Sequence, residues 1–183
     1  CCWLVNPVFG SERMQFQSLS TNDGLSQISV LRIAQDADGF LWFGTRNGLN
    51  RYDGYEFRVF KYVNNNLLSL SNNHITALCE GADNVLWVGT MGGLNRMHRH
   101  KEIFERDFSF TVLSGDLFPE QMHIFSLFND SKNRLWIGAG PGLYLYSPLN
   151  QSLKLVDFNG LLEANPVRAI QEDGNGNIYL GTT

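Results

Sequence analysis

Acidic side chains at predicted turns are the groups in this sequence with the clearest potential for catalysis or metal binding. They lie in short polar stretches between apolar segments, as Asp36, Asp38, Asp83, Asp130 and Asp173. Two carboxylates facing each other across a cleft could hydrolyse a glycosidic bond, and the stretch beginning at Asp173 is similar to a calcium loop. However, Ile178 stands where a calcium loop requires glycine. Because acids in turns more often cap the amides of their own turn, we interpret them as structural and predict no catalytic residue.

Thiol and imidazole groups give no stronger signal for catalysis or metal binding. Cys79 lies in an apolar segment without a neighbouring base, which is typical of a small buried residue rather than a nucleophile. His98 and His100 have no third ligand near them in the sequence, whereas protein zinc sites use three or more protein ligands. The sequence therefore predicts neither a metal site nor a cofactor, and it predicts that this region is not an enzyme.

The overall composition narrows the class of protein further. Of the 183 residues, 43% are hydrophobic and 13% aromatic, which excludes a disordered segment. The 18 glycines indicate many tight turns. The net charge of −4 and the lack of a basic block exclude nucleic-acid binding driven by phosphate contacts.

The first ten residues differ from the rest of the sequence. Residues 1–10 are apolar and contain both Cys1 and Cys2, and a charged stretch follows them at once. Val8 and Gly10 would stand at the −3 and −1 positions of a signal-peptide cleavage site. We interpret residues 1–10 as the remnant of a signal peptide, which predicts export to the periplasm. The alternative is an ordinary apolar first strand.

A repeat runs through the remaining residues, and it is the strongest signal in the sequence. Its anchor is an aromatic residue that recurs at spacings of 45, 49 and 43 residues, as Trp42, Trp87, Trp136 and Tyr179. A glycine follows two residues later, as Gly44, Gly89, Gly138 and Gly181. A second glycine follows six residues after the anchor, as Gly48, Gly93 and Gly142. An aromatic at a fixed offset could stack on sugars, but it more simply fills the layer between repeats. The glycines would allow close approach between repeats or a β-bulge.

Each repeat has the pattern of four short antiparallel strands, which we name A to D in chain order. A polar turn of four residues separates A from B, and its last two residues suit positive φ. Four strands every 43 to 49 residues are typical of β-propeller blades, whereas a sandwich, a barrel or a β-solenoid gives no reason for this period. The sequence thus predicts an all-β, partial propeller of about three and a half blades. The predicted units are an opening segment at 11–29, blade repeats at 30–74, 75–123 and 124–166, and a truncated repeat at 167–183.

Three segments resemble the two-component regulator propeller repeat family: Asp23–Gln27, Gly39–Gly54 and Asp83–Arg96. The third repeat departs from the family pattern at Ala139, Tyr144 and Leu145, and the fourth has Tyr179 in place of Trp. The resemblance implies the periplasmic sensor of a hybrid two-component histidine kinase, chiefly found in Bacteroidetes. It further implies an oligosaccharide or other small ligand, a homodimer of the full-length protein, further propeller blades in the parent chain, and control of a phosphorelay and of transcription.

The predicted topology also indicates where a ligand would bind. Because successive strands of a blade run in opposite directions, the B–C turns and the D–A connections share one face, which we call the loop face. Variable loops on a rigid scaffold often carry the binding residues. The candidates with suitable polar groups are Arg46, Asn47, Asn65, Asn73, His74, Gln121 and His123. These loops could instead be merely solvated or contact other blades. The alternative functions are an exported polysaccharide lyase or hydrolase and a protein-docking scaffold.

Overall fold

The strands of this chain form four separate antiparallel sheets. The computed structural model describes residues 16–82, 85–98, 103–106, 122–140, 142–156 and 165–182. The first sheet contains β1 (Val30–Gln35), β2 (Leu41–Thr45), β3 (Gly48–Tyr52) and β4 (Phe57–Phe60). The second contains β5 (Ile75–Glu80), β6 (Val85–Thr90), β7 (Gly93–His98) and β8 (Ile103–Arg106). The third contains β9 (Ile124–Asn129), β10 (Leu135–Ala139), β11 (Gly142–Ser147) and β12 (Ser152–Val156). The fourth pairs β13 (Val167–Glu172) with β14 (Ile178–Thr182).

The four sheets are arranged as propeller blades. In each blade the strands pair in chain order, and the first strand of each blade contacts the first strand of the next, so that β1, β5, β9 and β13 follow one another along the inner edge. Three blades of four strands and a sheet of two strands confirm the predicted all-β, partial propeller. Among the described residues only a 3₁₀ turn at Thr21–Asp23 is helical, and no helix is long and apolar enough to cross a membrane.

The hydrophobic core lies between the blades rather than within one of them. One cluster joins the first two blades through residues such as Trp42, Leu49, Ile75 and Leu86. Two further clusters join the second blade to the third and the third to the fourth. This arrangement follows from the short strands, because each sheet has two faces and can bury them only against its neighbours.

The repeated glycines after the aromatic anchors allow the blades to approach closely. A Cβ on Gly44 would lie 2.7 Å from Ile75 Cγ2 of the next blade, and a Cβ on Gly89 would lie 2.6 Å from Ile124 Cγ2. The strand opposite each of these glycines carries a register shift, between Val30 and Arg32 and between Ile75 and Ala77. The close approach and the bulge that the sequence left as alternatives therefore occur together.

The A–B turns require a left-handed residue at only one of the two positions where the sequence predicted it. Gly39, Asn133 and Gly176, the fourth residues of their turns, have φ of 87°, 57° and 84°. Each of their amides donates to the carbonyl of the first turn residue. The third residues do not have positive φ, so that part of the prediction was wrong. A three-residue reverse turn closed by one left-handed residue is sufficient to reverse the chain here.

Candidate ligand-binding face

The turn acids cap their own turns and also fix the aromatic anchors. Asp36 Oδ1 accepts hydrogen bonds from the amides of Asp38 and Phe40, both at 3.0 Å, while its Oδ2 accepts one from Trp42 Nε1 at 2.8 Å. Asp130 makes the same contacts, including one with Trp136 Nε1 at 2.9 Å. These carboxylates are therefore committed to structural hydrogen bonds. Asp83 lies outside the described residues.

The charge of Asp130 is stabilised although its side chain is buried. Burial raises the pKa of this carboxyl, but hydrogen bonds from Arg134 and Trp136 outweigh that effect and hold the pKa below its ordinary value of 3.8. The pKa of Asp173 is also lowered, mainly by the hydrogen bond from the Asn177 side chain. Ionised acids with these partners do not have the raised pKa that a general acid needs near neutral pH.

The aromatic anchors are buried to different degrees. Trp42 and Trp87 are 1% and 3% exposed, and both lie in the clusters between blades. Trp136 is half-buried and packs against the third cluster. Tyr179 is 60% exposed, because its sheet has only two strands in the described part of the chain. The three tryptophans thus lie between blades and do not form a sugar-stacking platform.

A buried Ser–Thr–Asn network, which the sequence reasoning missed, holds the loop face of the first blade together. The Ser26 amide donates to Asn50 Oδ1 at 2.8 Å, and the hydroxyls of Ser26 and Thr45 lie 2.9 Å apart. Thr45 also donates to the Gly48 carbonyl at 3.0 Å. Since these bonds join the connection before strand A to strands B and C, they fix the loop that enters the blade.

The second blade contains the same network at equivalent positions. The Ser71 amide donates to Asn95 Oδ1 at 2.8 Å, and the hydroxyls of Ser71 and Thr90 also lie 2.8 Å apart. The signal in the sequence was a serine four residues before strand A and an asparagine eight residues after the tryptophan. In the third blade, buried Ala139 and Tyr144 occupy the Thr and Asn positions, which explains physically why that repeat departs from the family pattern.

The B–C turns and the D–A connections form one face, as strand direction requires. The amide of Gly48 in the first B–C turn donates to the Asn73 carbonyl at 2.8 Å. In the following blades, Met91 donates to the His74 carbonyl at 3.2 Å, and Gly140 donates to the His123 carbonyl at 3.1 Å. Each turn is therefore bonded to a connection that leads into a strand A.

The predicted site residues occupy different parts of this loop face. Arg46 and Asn47 are exposed on the first B–C turn, and the Asn47 side chain donates to the Ser26 carbonyl at 3.1 Å. Asn73 accepts a hydrogen bond from the Tyr62 amide at 2.7 Å, which orders the loop. Asn65 is exposed, with φ of 59°. Gln121 lies outside the described residues.

His74 and His123 belong to a group of cationic side chains that the sequence identified only in part. Burial and then the charge of Arg46 lower the pKa of His74, and burial, His74 and Arg168 in turn lower the pKa of His123. We call Arg46, His74, His123 and Arg168 the cationic cluster. Sequence reasoning missed Arg168, because the strand pattern alone does not bring the second residue of β13 to the histidines.

An aromatic ring lies within the cationic cluster. The ring centroids of His123 and Phe125 are 4.2 Å apart, and Arg168 Cζ lies 4.8 Å from the Phe125 ring centroid. Arg168 is exposed, and His74 and His123 are half-buried. His123 and Arg168, from either side of the third blade's sheet in the chain, thus meet at one aromatic ring. Such a group can bind an anion through charge-assisted hydrogen bonds.

The remaining groups of chemical interest fit structural roles. Burial raises the pKa of the Cys79 thiol to about 11, which keeps the thiol protonated and unreactive at neutral pH. Among the described residues, no group of three or more His, Cys, Asp or Glu side chains could hold a metal ion. The side chains of His98 and His100 lie outside the described part of the chain.

Comparison with known proteins gives a family match, a curated relative and several solved structures. A family model described as the two component regulator propeller matches residues 24–47, 69–92 and 161–183. The chain is 52% identical over 46 residues to histidine kinase P4 of Formosa agariphila, which is 25% of this chain and 3% of that protein.

Two of the similar solved structures come from Bacteroides thetaiotaomicron. The extracellular domain of the hybrid two component system BT3049 is 25% identical, with a TM-score of 0.70 over 94% of this chain and 23% of that one. The corresponding domain of BT4673 is 24% identical, with a TM-score of 0.70 over 90% of this chain and 22% of that one. The chain therefore spans less than a quarter of these two structures and 3% of the kinase.

Proposed function

Because this chain is built from two-component regulator propeller repeats, we propose that it is part of the periplasmic sensor propeller of a hybrid two-component histidine kinase. The kinase module would lie elsewhere in the parent protein. The observation that carries the proposal is the similarity over 94% of this chain to the extracellular domain of a hybrid two component system. The local identity of 52% to a histidine kinase supports the same context.

In this proposal the loop face binds an oligosaccharide in the periplasm. The Ser–Thr–Asn networks fix the connections that lead into the first two blades. Arg46 and Asn47 remain exposed on the same face. Guanidinium and amide groups hydrogen-bond sugar hydroxyls, and an aromatic ring stacks on a sugar face. The carboxylates of Asp36, Asp130 and Asp173 are hydrogen-bonded within their own A–B turns, which favours binding without hydrolysis.

Ligand binding would then shift the balance between two arrangements of a homodimer and so control the phosphorelay and transcription. A ligand can shift such a balance only by its difference in affinity for the two arrangements. A shift from 1:99 to 99:1 requires about 10⁴-fold tighter binding to one of them. Loops from adjacent blades at the loop face could respond together to a ligand, because each blade is packed against the next through a hydrophobic cluster.

The experiment is a phosphorylation assay on the full-length protein reconstituted in liposomes. Oligosaccharides from a glycan array that bind the protein are added one at a time, and autophosphorylation is measured with radiolabelled ATP. We expect at least one glycan to change the rate, and we expect Arg46→Ala to weaken the response while Lys154→Ala, on an exposed part of outer strand β12, leaves it unchanged. Release of shortened sugars would favour a lyase or hydrolase. Binding of a protein but of no glycan would contradict the proposal.

A further inference from the structure

The cationic cluster carries an inference about the chemical class of the ligand, and this inference rests on the proposed function. Its groups come from separate places in the chain: Arg46 from the β2–β3 turn, His74 and His123 from the residues before β5 and β9, and Arg168 from β13. Burial and then the positive charges of the cluster lower the pKa values of both histidines. A bound anion would favour the protonated form of these imidazoles, so anion binding and protonation are coupled here.

The described groups that act electrostatically on these histidines are all cationic. For His74 the acting charge is Arg46, and for His123 the acting charges are His74 and Arg168. The turn carboxylates Asp36, Asp130 and Asp173 are hydrogen-bonded in the A–B turns. Those turns lie on the opposite face from the B–C turns, so they do not neutralise the cluster.

A buried hydroxyl at the same level of the loop face has no partner. Thr76 is 9% exposed, and its Oγ1 makes no hydrogen bond within the described part of the chain. Thr76 is the second residue of β5, the position that Phe125 takes in β9 and Arg168 takes in β13. Buried polar atoms without partners are rare in folded proteins, and this one follows His74 by two residues in the chain.

We propose that the loop face selects an acidic oligosaccharide, whose carboxylate or sulfate group binds to His74, His123 and Arg168, while the Phe125 ring holds the His123 and Arg168 side chains in place. Arg168 can hold two oxygens of such a group at once, and protonated histidines add charge-assisted hydrogen bonds. Arg46 supplies longer-range attraction. A neutral sugar lacks the charge-assisted contact, so it binds more weakly.

The test is calorimetric titration of the full-length protein with three probes of equal length: tetragalacturonate, galactotetraose, and galactotetraose carrying sulfate esters. We expect at least one of the two acidic probes to bind tenfold or more tightly than neutral galactotetraose, since a charge-assisted contact contributes roughly that factor or more. The comparison of the two acidic probes decides between a carboxylate and a sulfate. Inorganic sulfate alone serves as the control for binding by charge without a sugar.

The variants identify the residues. Arg168→Gln and His123→Gln should each weaken the binding of the acidic probe about tenfold or more and leave the binding of galactotetraose unchanged. The control Lys154→Gln, which removes one charge from an exposed position on β12, should change the affinity for neither probe. Circular dichroism of each variant checks that it folds.

For the wild-type protein, binding of the acidic probe should tighten as the pH falls from 7.5 to 5.5, because the histidines with lowered pKa become protonated. The double variant His74→Gln/His123→Gln should lose that pH dependence.

The outcomes separate the two proposals. Tight binding of the neutral probe alone would overturn the acidic ligand and leave the oligosaccharide sensor intact. Binding of no glycan, with a folded protein, would overturn both. Equal binding of inorganic sulfate and the sulfated probe would show that the sugar contributes nothing, and it would also overturn the inference.

Discussion

Replacing Gly89 by alanine tests whether the blades pack as described. A Cβ on Gly89 would lie 2.6 Å from Ile124 Cγ2, 2.9 Å from Ile124 Cβ and 3.1 Å from Ala77 Cβ. Ile124 is fully buried and begins β9, so neither its stiff β-branched side chain nor its backbone can move aside easily. Overpacking of this kind costs about 1–3 kcal/mol, and contact with two fixed carbons favours the upper end, about 3 kcal/mol.

The measurement is urea unfolding followed by tryptophan fluorescence, because the indoles of Trp42 and Trp87 are buried between blades. A loss of about 3 kcal/mol should also lower the melting temperature by roughly 6–12 °C for a domain of this size. The matched control is Gly174→Ala, since a Cβ at Gly174 would have no atom within 4 Å and its φ is not positive. That variant should stay within about 0.5 kcal/mol of the wild type.

A double-mutant cycle shows whether the cost arises from the contact itself. Ile124→Ala alone should destabilise by about 2–5 kcal/mol. Combined with Gly89→Ala, it should cost less than the sum of the two single changes by about 1–2 kcal/mol, because the new methyl group occupies space that Cγ2 has left. If Gly89→Ala destabilises no more than Gly174→Ala, or if the cycle shows no coupling, the proposed packing of the second blade on the third is refuted.

Three further perturbations probe the site's supporting structure. Thr90→Val removes the hydroxyl that donates to the Gly93 carbonyl and accepts from the Gly92 amide, so it should lower the free energy of unfolding in urea by about 1–3 kcal/mol. The control Thr182→Val, at the equivalent but exposed position, should be near neutral. Equal effects of the two changes would contradict the buried network. Folding lowers the pKa of Asp130 from 3.8, so the ionised carboxyl stabilises the protein fully above pH 3.8, and this stabilisation is lost as the pH falls through the lower pKa of the folded state. Asp130→Asn should therefore reduce the dependence of the free energy of unfolding on pH below about 4. An unchanged pH dependence would argue against an ionised carboxyl. Because the pKa of the Cys79 thiol is about 11, Cys79 should react with iodoacetamide at pH 8.5 about 100-fold more slowly in the folded protein than in the urea-unfolded protein. Mass spectrometry of the peptide that contains Cys79 measures the rate. Equal rates would show that the thiol is not buried.

The sequence predicted the fold through spacing. A blade needs an aromatic filler, a close-approach glycine and tight turns at fixed offsets, so Trp42, Gly44 and Gly48 and their counterparts mark the first three blades, and Tyr179 and Gly181 mark the fourth. Ser26 and Ser71 also lie at a fixed offset before their strands. Among many serines, however, these two can be recognised as equivalent only once their partners, Asn50 and Asn95, are known.

The candidate site was predicted only in part. Strand direction placed Arg46, His74 and His123 on one face, since that depends on topology alone. It did not bring Arg168 or Phe125 to the same group, because strand A carries a bulge near its start, and a bulge changes the side to which the first residues point. The repeated glycines allowed a bulge, but the sequence pattern did not show that Phe125 and Arg168 are the residues that it displaces.

By itself, the sequence determined the repeat, the strand order and the structural role of the turn acids, because these depend on contacts between residues close in the chain. Only the tertiary structure decided which side chains meet between blades. His74, His123 and Arg168 are 49 and 45 residues apart in sequence, and they become neighbours because Gly44, Gly89 and Gly138 let each inner strand lie against the next. The charge of the loop face is therefore a property of blade packing rather than of any single repeat.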